Sequence, residues 1–504
     1  TPRKWFTPLD RTALILIVVL SVAIAGFLLL GNRTAAKVRD FSWQNRQVGA
    51  EDSAFLLTFS RPMDHASVEN NLKIEPPLAG KFSWAGRRMA YTLESPAPYG
   101  QNFVVQLAGA RDRFSEADHS SAQMRIFEGK FRTRDRAFVY LGVTGDEAGR
   151  LVLQNLTTQE KQILTPANLT VIDFKPYPEG DRILFSATDR TTEPRGLLDQ
   201  KIYTVTTGIK VQAPATAPGQ TAPSPSSTPS HQTAGRVDLV LDNTDYQNLK
   251  FDLSPDGHRI VVQRVNKQKL SDLGLWVMTD GSEPQRLETE PGGDFLIAPD
   301  SQSLAMSQGQ GMAILPFVSN AEPLDFLPKY GVILNFAKDG TAAAMIRFNR
   351  DPNNPTRSLF LVTNQGTEKE LFTTDGSVLD CQFDPSKTNL YCLYTRRLPS
   401  DLYVEQPYLA GVNLKTAQLV DLLQLPIQQD IQMALAPDGL GILFDQVIAD
   451  PTGKNTGSVR GRDGKAISDS QLWFLPIATN SDGLALQVEP QELGLSGLRP
   501  RWLP

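Results

Sequence analysis

Four histidines and a few carboxylates are the first residues to test for acid–base work in this chain of 504 residues. The stretch FDLSPDGHRIVVQR, Phe251 to Arg264, sets Asp252, Asp256 and His258 around a Pro-Asp-Gly turn. A carboxylate within reach of an imidazole is the pair from which general acid–base and nucleophilic catalysis are built. The other histidines, His65, His119 and His231, fall in a turn, a polar loop and a Pro/Ser-rich linker, so a Ser-His-Asp arrangement finds no histidine to use. Asp64 beside His65 reads as a local turn or cap residue. The chain has no G-x-S-x-G, no H-E-x-x-H, no phosphate-binding G-x-x-x-x-G-K-[ST] and no G-x-G-x-x-G behind a strand. These residues predict no catalytic site, no metal site and no cofactor, and a protein that is not an enzyme.

The two cysteines, Cys381 and Cys392, are too few for a zinc module, which needs four ligands at short spacing. If Pro385 to Thr388 form a four-residue hairpin loop, Asp384 pairs with Asn389, Phe383 with Leu390 and Cys381 with Cys392. Directly opposite cysteines at a non-hydrogen-bonded pair can bridge. The alternative is two reduced thiols acting as small buried hydrophobes.

Apolar residues are 40% of the chain and the net charge is −5, which argues against bulk attraction to nucleic acid. Thr12 to Leu30 is an uninterrupted apolar run, about 28 Å long as a helix, near the thickness of a bilayer core. It is longer than a cleaved signal segment and predicts a single transmembrane helix at 12–30 within an N-terminal region 1–40. Arg3, Lys4 and Arg11 before it nearly balance Arg33, Lys37 and Arg39 after it. The short leading tail favours a cytoplasmic N-terminus and a periplasmic or exoplasmic body, on a bacterial inner or other internal membrane.

Residues 41–134 alternate apolar runs with turns, the pattern of half-buried strands in a sandwich. Within them, LLTFSRPMDHASVENNLKIEP and the following GKFSWAGRRMAYTLESPAPYG resemble the bacterial Ig-like domain of the surface-layer type. The resemblance rests on Phe59 to Asp64, Ser67-Val68, Trp84 and Tyr99-Gly100. It implies a spacer or adhesion module without catalytic residues.

Residues 137–504 repeat one unit seven times. The slot held by Pro255 in the stretch above is filled at Pro176, Pro299, Lys338, Pro385, Pro437 and Pro504. Two and four residues before each slot stand mostly apolar residues, such as Leu253 and Phe251, or Ile297 and Phe295. Period-2 apolar positions mean one buried strand face. A polar turn, a second apolar run, a third strand such as GLWVMTD and a short fourth strand follow in turn. Four antiparallel strands repeated at about 40–50 residues describe the blade of a β-propeller. Two intervals are longer, one through the Pro/Ser-rich stretch 213–234, whose composition predicts disorder, and one through the Gly-rich loop 449–469. The chain stops after a first strand, and the repeat begins with a second strand near Ala137, so the last strand is expected to complete the first blade and close the ring. The unit resembles the WD40-like propeller of the TolB type, with FDLSPDG and Leu275-Trp276-Val277-Met278 as the nearest match. The expected fold is all-β: an N-terminal transmembrane helix, an Ig-like β-sandwich and a seven-bladed β-propeller closed by the C-terminal strand.

In that fold the loops joining second and third strands share one face, and they are long here. They hold Arg190, Arg195, Lys267, Arg350, Arg357, Arg396, Arg397, Arg460, Arg462 and Lys465, with acidic residues interleaved. The expectation is a membrane-anchored exoplasmic interaction or scaffold protein whose propeller docks a partner protein through this face. The alternative is a glycan-binding or hydrolytic propeller using the central channel. Asp173, Asp252, Asp294 and Asp380 recur in or near the first strands, but at inconsistent distances from the slot, which counts against a shared ring of ligands.

Overall fold

The computed structural model describes residues 8–31, 35–113, 124–190, 199–209, 233–279, 281–290, 292–309, 311–318, 322–349, 351, 353–399, 402–428, 430–449, 459 and 467–504. The chain divides into two compact units, one of Thr1–Ser95 with Gln101–Thr133 and one of Pro96–Gly100 with Arg134–Pro504.

The apolar N-terminal run lies in a helix, Pro8–Gly31. Leu14 to Leu20 are exposed aliphatic residues on successive positions, so no single stripe of this helix is buried. Among the described residues no helix is long and apolar enough to cross a membrane. The expected span, 12–30, runs past Gly26 into residues whose side chains are not described, and the transmembrane reading gains no support from the helix as described.

In the first unit, two four-stranded sheets enclose an aromatic core. The strand Ala54–Phe59 buries Phe55, Leu57 and Phe59 and leaves the residues between them partly exposed, as a period-2 pattern requires. Trp43 meets Phe131 at 4.9 Å and Phe55 at 5.4 Å between ring centroids. Such aromatic pairs add about 0.5–1.5 kcal/mol each beyond area burial. The architecture is a two-sheet sandwich; the narrower surface-layer likeness rests on its motif residues alone.

The second unit is a series of four-stranded antiparallel meanders in chain order. Blades II to VI begin with the innermost strands Leu169–Pro176, Tyr246–Leu253, Phe295–Ile297, Val332–Phe336 and Val378–Phe383, and each forms its own sheet. Blade VII begins with Met433–Leu435. Blade I has its outer three strands at Ala137–Gly142, Leu151–Asn155 and Lys161–Ile163. The last strand, Gln491–Trp502, serves two blades. Gln491, Glu492 and Ser496 pair with the third strand of blade VII, and Gly497, Leu498, Arg501 and Trp502 pair with Ala137–Gly142 of blade I. No sheet closes on itself. The last strand pairs with blade I, as expected of it, and with blade VII as well, so one strand shared between two sheets joins the ends of the repeat. Hydrophobic positions two and four before the slot are buried in blades III and IV, as with Phe251, Leu253, Phe295 and Ile297, and several in the other blades, such as Ile172, Leu334 and Phe336, are partly buried. Burying such a side chain stabilises by about 1.5–3 kcal/mol.

In blade VI the register is Cys381 opposite Cys392 and Phe383 opposite Leu390, and the amide of Asp384 donates to the carbonyl of Asn389. Both cysteines are fully buried and bonded to each other. The Pro/Ser-rich stretch expected at 213–234 lies, through residue 232, outside the described residues.

Candidate functional site

The hairpin that opened the question is structural. Asp256 accepts a hydrogen bond from the Ser254 hydroxyl and one from the His258 amide at 3.0 Å. Burial pushes this carboxyl up, but the bonds from Ser254 and His258, the His258 charge and Ser301 outweigh it and hold it below the ordinary carboxylate value. Asp252 lies one strand face away, buried, with its carboxylate on Lys175 of blade II and on the amide of Ile297 of blade IV at 2.8 Å. The structure thus separates Asp252 and Asp256 into two jobs, a bridge between blades and a turn clasp.

The cationic loop face is only partly described. Arg195, Arg350, Arg460, Arg462 and Lys465 lie outside the described residues. The other five are occupied within the fold. Arg190 donates to the carbonyl of Ala148 at 2.5 Å. Lys267 pairs with Asp199 at 3.2 Å. Arg357 donates to the carbonyl of Gly376. Arg396 pairs with Asp421 at 2.8 Å and lies over the Tyr394 and Tyr408 rings. Arg397 stacks 5.3 Å from the Tyr403 ring centroid. These five do not form a common anion site; each neutral or acidic partner satisfies one of them locally.

Apolar residues are exposed on that face instead. Strand direction puts second-to-third-strand loops, fourth-to-first-strand connections and the starts of the innermost strands at one end of the blades. Leu249, Leu270, Leu273, Phe348, Leu379, Leu402, Tyr403 and Ile427 are exposed there. Leu270 is 73% exposed, Leu402 75% and Tyr403 61%, values at which a leucine or tyrosine gains almost nothing from its own fold. At the opposite, short-turn end the exposed large apolar residues among those described are Val318, Leu324, Leu440 and Leu486.

The loop-face group borders a cavity of about 1290 Å³ walled by innermost strands. The third residue before the slot lines it in six blades: Asp173, Asp252, Leu296, Asn335, Gln382 and Arg501. Polar links cross between neighbouring blades around this wall. Lys250 reaches Asp294 and the carbonyl of Phe295, the latter at 3.1 Å. Gln382 donates to the carbonyl of Met433 at 3.2 Å and accepts from the amide of Leu435 at 2.8 Å. Behind the wall, the fully buried Asp445 accepts the amides of Gln432 and Arg499, each at 2.7 Å. Burial pushes its carboxyl up to about 6 against those two bonds. At the rim, burial pushes Glu405 up, but the hydroxyls of Thr395, Tyr403 and Ser377 and the charge of Arg357 outweigh it and hold Glu405 below its ordinary value.

Four innermost strands carry a bulge near their start. The register slips by one residue between Val171 and Asp173, Asn248 and Lys250, Ile333 and Asn335, and Val378 and Asp380. Each is a bulge, which re-aims the residues before it relative to those after it. Asp173 and Asp380 both follow the bulge of their strand and lie three and five residues before their slots, an even separation that keeps one strand face, so both line the cavity wall, while Asp294 does not line that cavity and pairs with Lys250. Sequence reasoning undervalued the wall because it took positions three and five before the slot as different registers, whereas an even separation keeps one strand face; the visible signal was the third residue before the slot. Among the described residues no three His, Cys, Asp or Glu side chains are grouped to hold a metal ion.

No family model matches the chain, and no curated protein matches it in sequence. Among solved structures the chain is similar to TolB from Acinetobacter baumannii, at 10% identity over 86% of this chain and 83% of that one, with a TM-score of 0.39. It is similar to a putative 6-phosphogluconolactonase from Bacteroides fragilis at 12% identity over 73% and 98%, with a TM-score of 0.41. It is also similar to oligogalacturonate lyase from Vibrio parahaemolyticus at 11% identity over 62% and 87%, with a TM-score of 0.40. Likenesses this distant carry no argument about activity, and the propeller assignment rests on the strand order above.

Proposed function

We propose that the chain is a non-enzymatic interaction protein whose propeller docks a partner protein on its long-loop face, held at a membrane by the apolar N-terminal helix Pro8–Gly31 with its body on the exoplasmic side. The observation that carries the docking reading is the group of eight exposed apolar side chains on that face, against four on the turn face among the described residues. Clustered exposed apolar surface costs solubility, and a binding surface offsets that cost. The cations first expected to do the docking are committed to internal partners where they are described, so recognition shifts from charge to apolar contact. The sandwich of 41–134 fits the part of a spacer, as the surface-layer likeness implies.

The test uses the full chain, purified by affinity from detergent-solubilised membranes. Leu270→Glu with Leu402→Glu and Tyr403→Glu should lower recovery of the specific partner by about tenfold or more, the range of interface hot spots. Val318→Glu with Leu440→Glu on the turn face should leave recovery unchanged. Equal recovery from both variants sinks the docking reading, and a bound glycan in place of a protein moves the case to the channel-binding alternative. Sedimentation of the untreated chain away from washed membranes would remove the anchoring part alone.

A further inference from the structure

We propose that one end of the sandwich rests on anionic phospholipid headgroups, with Ile126 entering the interface among cations. This rests on the anchoring part of the reading above and names the surface that the anchored sandwich meets.

The strand registers decide which segments share that end. Val38 pairs with Phe59, Thr58 with Arg88 and Arg88 with Ala85, so the start of Val38–Phe41, the close of Ala54–Phe59 and the turn at Gly86-Arg87 lie together. In the other sheet Leu72 and Phe127 both pair with Leu107. Main-chain bonds bring the two sets to one end. The amide of Arg125 donates to the carbonyl of Ala36 at 2.9 Å, that of Arg113 to Pro62 at 3.0 Å and that of Asp64 to Arg111 at 3.0 Å. The chain enters this end directly from the apolar helix. Six residues separate Gly31 from Lys37, a reach of at most about 20 Å. A helix seated in a bilayer therefore tethers this end close to the lipid surface.

The first observation is charge. Lys37, Arg87, Arg88, Arg113 and Arg125 are exposed here, and none of them pairs with a carboxylate among the described residues. Arg61 is the paired one, on Asp112 at 3.6 Å. Over the full sequence, the segments 33–37, 59–69, 84–88 and 108–126 hold eight cations and five carboxylates, a net charge of +3 in a chain whose total is −5. Lys and Arg clustered beside a membrane helix attract anionic lipid, each adding to the affinity.

The second observation is apolar and independent of the first. Ile126 is 81% exposed, and it is the one exposed large apolar side chain among the described residues of the sandwich. It directly follows Arg125, at the mouth of the strand Phe127–Thr133. An uncovered aliphatic group among exposed cations suits a headgroup layer, where the apolar group enters the acyl boundary and the cations stay with the phosphates. A soluble anion would match the charge and leave Ile126 in water. The tether places lipid within reach of both features.

The full chain, reconstituted in vesicles, carries a bimane fluorophore on Ala85→Cys, an exposed position at this end. Both native cysteines are buried and bonded to each other, so the label takes one site. The quencher is a nitroxide on the lipid headgroup. Quenching should be about threefold stronger in phosphatidylcholine mixed with phosphatidylglycerol than in phosphatidylcholine alone. Arg87→Gln with Arg88→Gln should move the contact equilibrium about tenfold towards release, and rising sodium chloride should release the parent chain in the same way. Ile126→Gln should weaken contact too, and it decides the matter if the arginine pair does not melt like the parent. Equal quenching in the two lipids, or quenching indifferent to both variants and to salt, overturns the inference. Release by inorganic phosphate beyond that by chloride at equal ionic strength also overturns it, since that marks a site for a soluble anion. Flotation separates this inference from the anchoring reading. A chain that floats with both vesicles but shows no headgroup contact keeps the anchor and loses the lipid-facing end. A chain that floats only with the mixed vesicles, and not after Arg87→Gln with Arg88→Gln, keeps that end and loses the anchor.

Discussion

The two ends of the propeller spend their polar and apolar groups in opposite ways. At the short-turn end, side chains tie the backbone to itself and to the next blade. Asp300 accepts the amides of Gln302 and Ser303 at 2.8 and 3.0 Å, and Asp384 accepts the amide of Thr388 at 2.8 Å. Neighbouring turns are laced together by Ser301, whose hydroxyl accepts the amide of Asp256 at 3.1 Å, and by the pair of Lys387 with Asp339. The Lys387 ammonium and the Thr341 hydroxyl and amide bring Asp339 down to about 2. At the long-loop end, charged groups are also paired within the fold, yet leucine, phenylalanine and tyrosine side chains are left in water. The lesson is that a tied-off end is explained by folding alone, whereas an end with unburied apolar groups is not.

The contrast can be attacked at several strengths. The largest effect is expected where the fold seals itself. Asp445→Ala leaves the buried amides of Gln432 and Arg499 without their acceptor, and Arg499 sits at φ 51°, in the bulge by which the last strand passes from blade VII to blade I. Urea unfolding should show a loss of about 2–4 kcal/mol. The same carboxyl supplies a pH signature. Its folded value, about 6, lies above the ordinary aspartate value of about 3.8, so between those values the folded chain keeps a proton that the unfolded chain has released. Stability from this group is full below the lower value and is lost as pH rises to the upper one, about 3 kcal/mol in all. Asp445→Asn should flatten that part of the stability profile; an unchanged slope would assign it elsewhere.

A smaller effect is expected at the turn end. Gly257 has φ 77°, and a Cβ there would meet Pro178 Cδ at 3.0 Å. Gly257→Ala should cost about 1–2 kcal/mol in stability and leave partner binding unmoved. Ser301 and Lys387 hold the same left-handed conformation in their own turns, which sets the ceiling on that cost. The smallest effect belongs to the loop-face cations. Arg397→Ala removes an exposed contact over the Tyr403 ring, worth about 0.5–1 kcal/mol, and should change melting little. A large loss of partner binding in this variant, with melting unchanged, would restore charge as the basis of docking and blur the difference between the two ends.

Much of this was legible beforehand. The buried face of each innermost strand follows from period-2 spacing of Phe251 with Leu253 and Phe295 with Ile297, because alternation is a local property of extended chain. The pairing of Cys381 with Cys392 follows from counting outward from a four-residue loop, since a hairpin fixes its own register. The turn role of Asp256 follows from its neighbours Pro255 and Gly257.

The rest depended on the fold in three dimensions. Positions three and five before a slot share one strand face, yet which of them reaches the cavity depends on the neighbouring blades: Asp173, Asp252 and Asp380 line its wall and Asp294 does not. Whether Lys267 or Arg396 faces solvent or a carboxylate depends on Asp199 and Asp421, distant in sequence and brought close by neighbouring strands and loops. The exposure of Leu270 and Leu402 is likewise a matter of what covers them, and apolar residues in loops carry no mark of being uncovered. By itself the sequence determined the repeat, the strands and the turns, because these depend on near neighbours. Only the tertiary structure decided which groups face the cavity and which end is left unsealed, because burial and charge pairing are set by residues far apart along the chain.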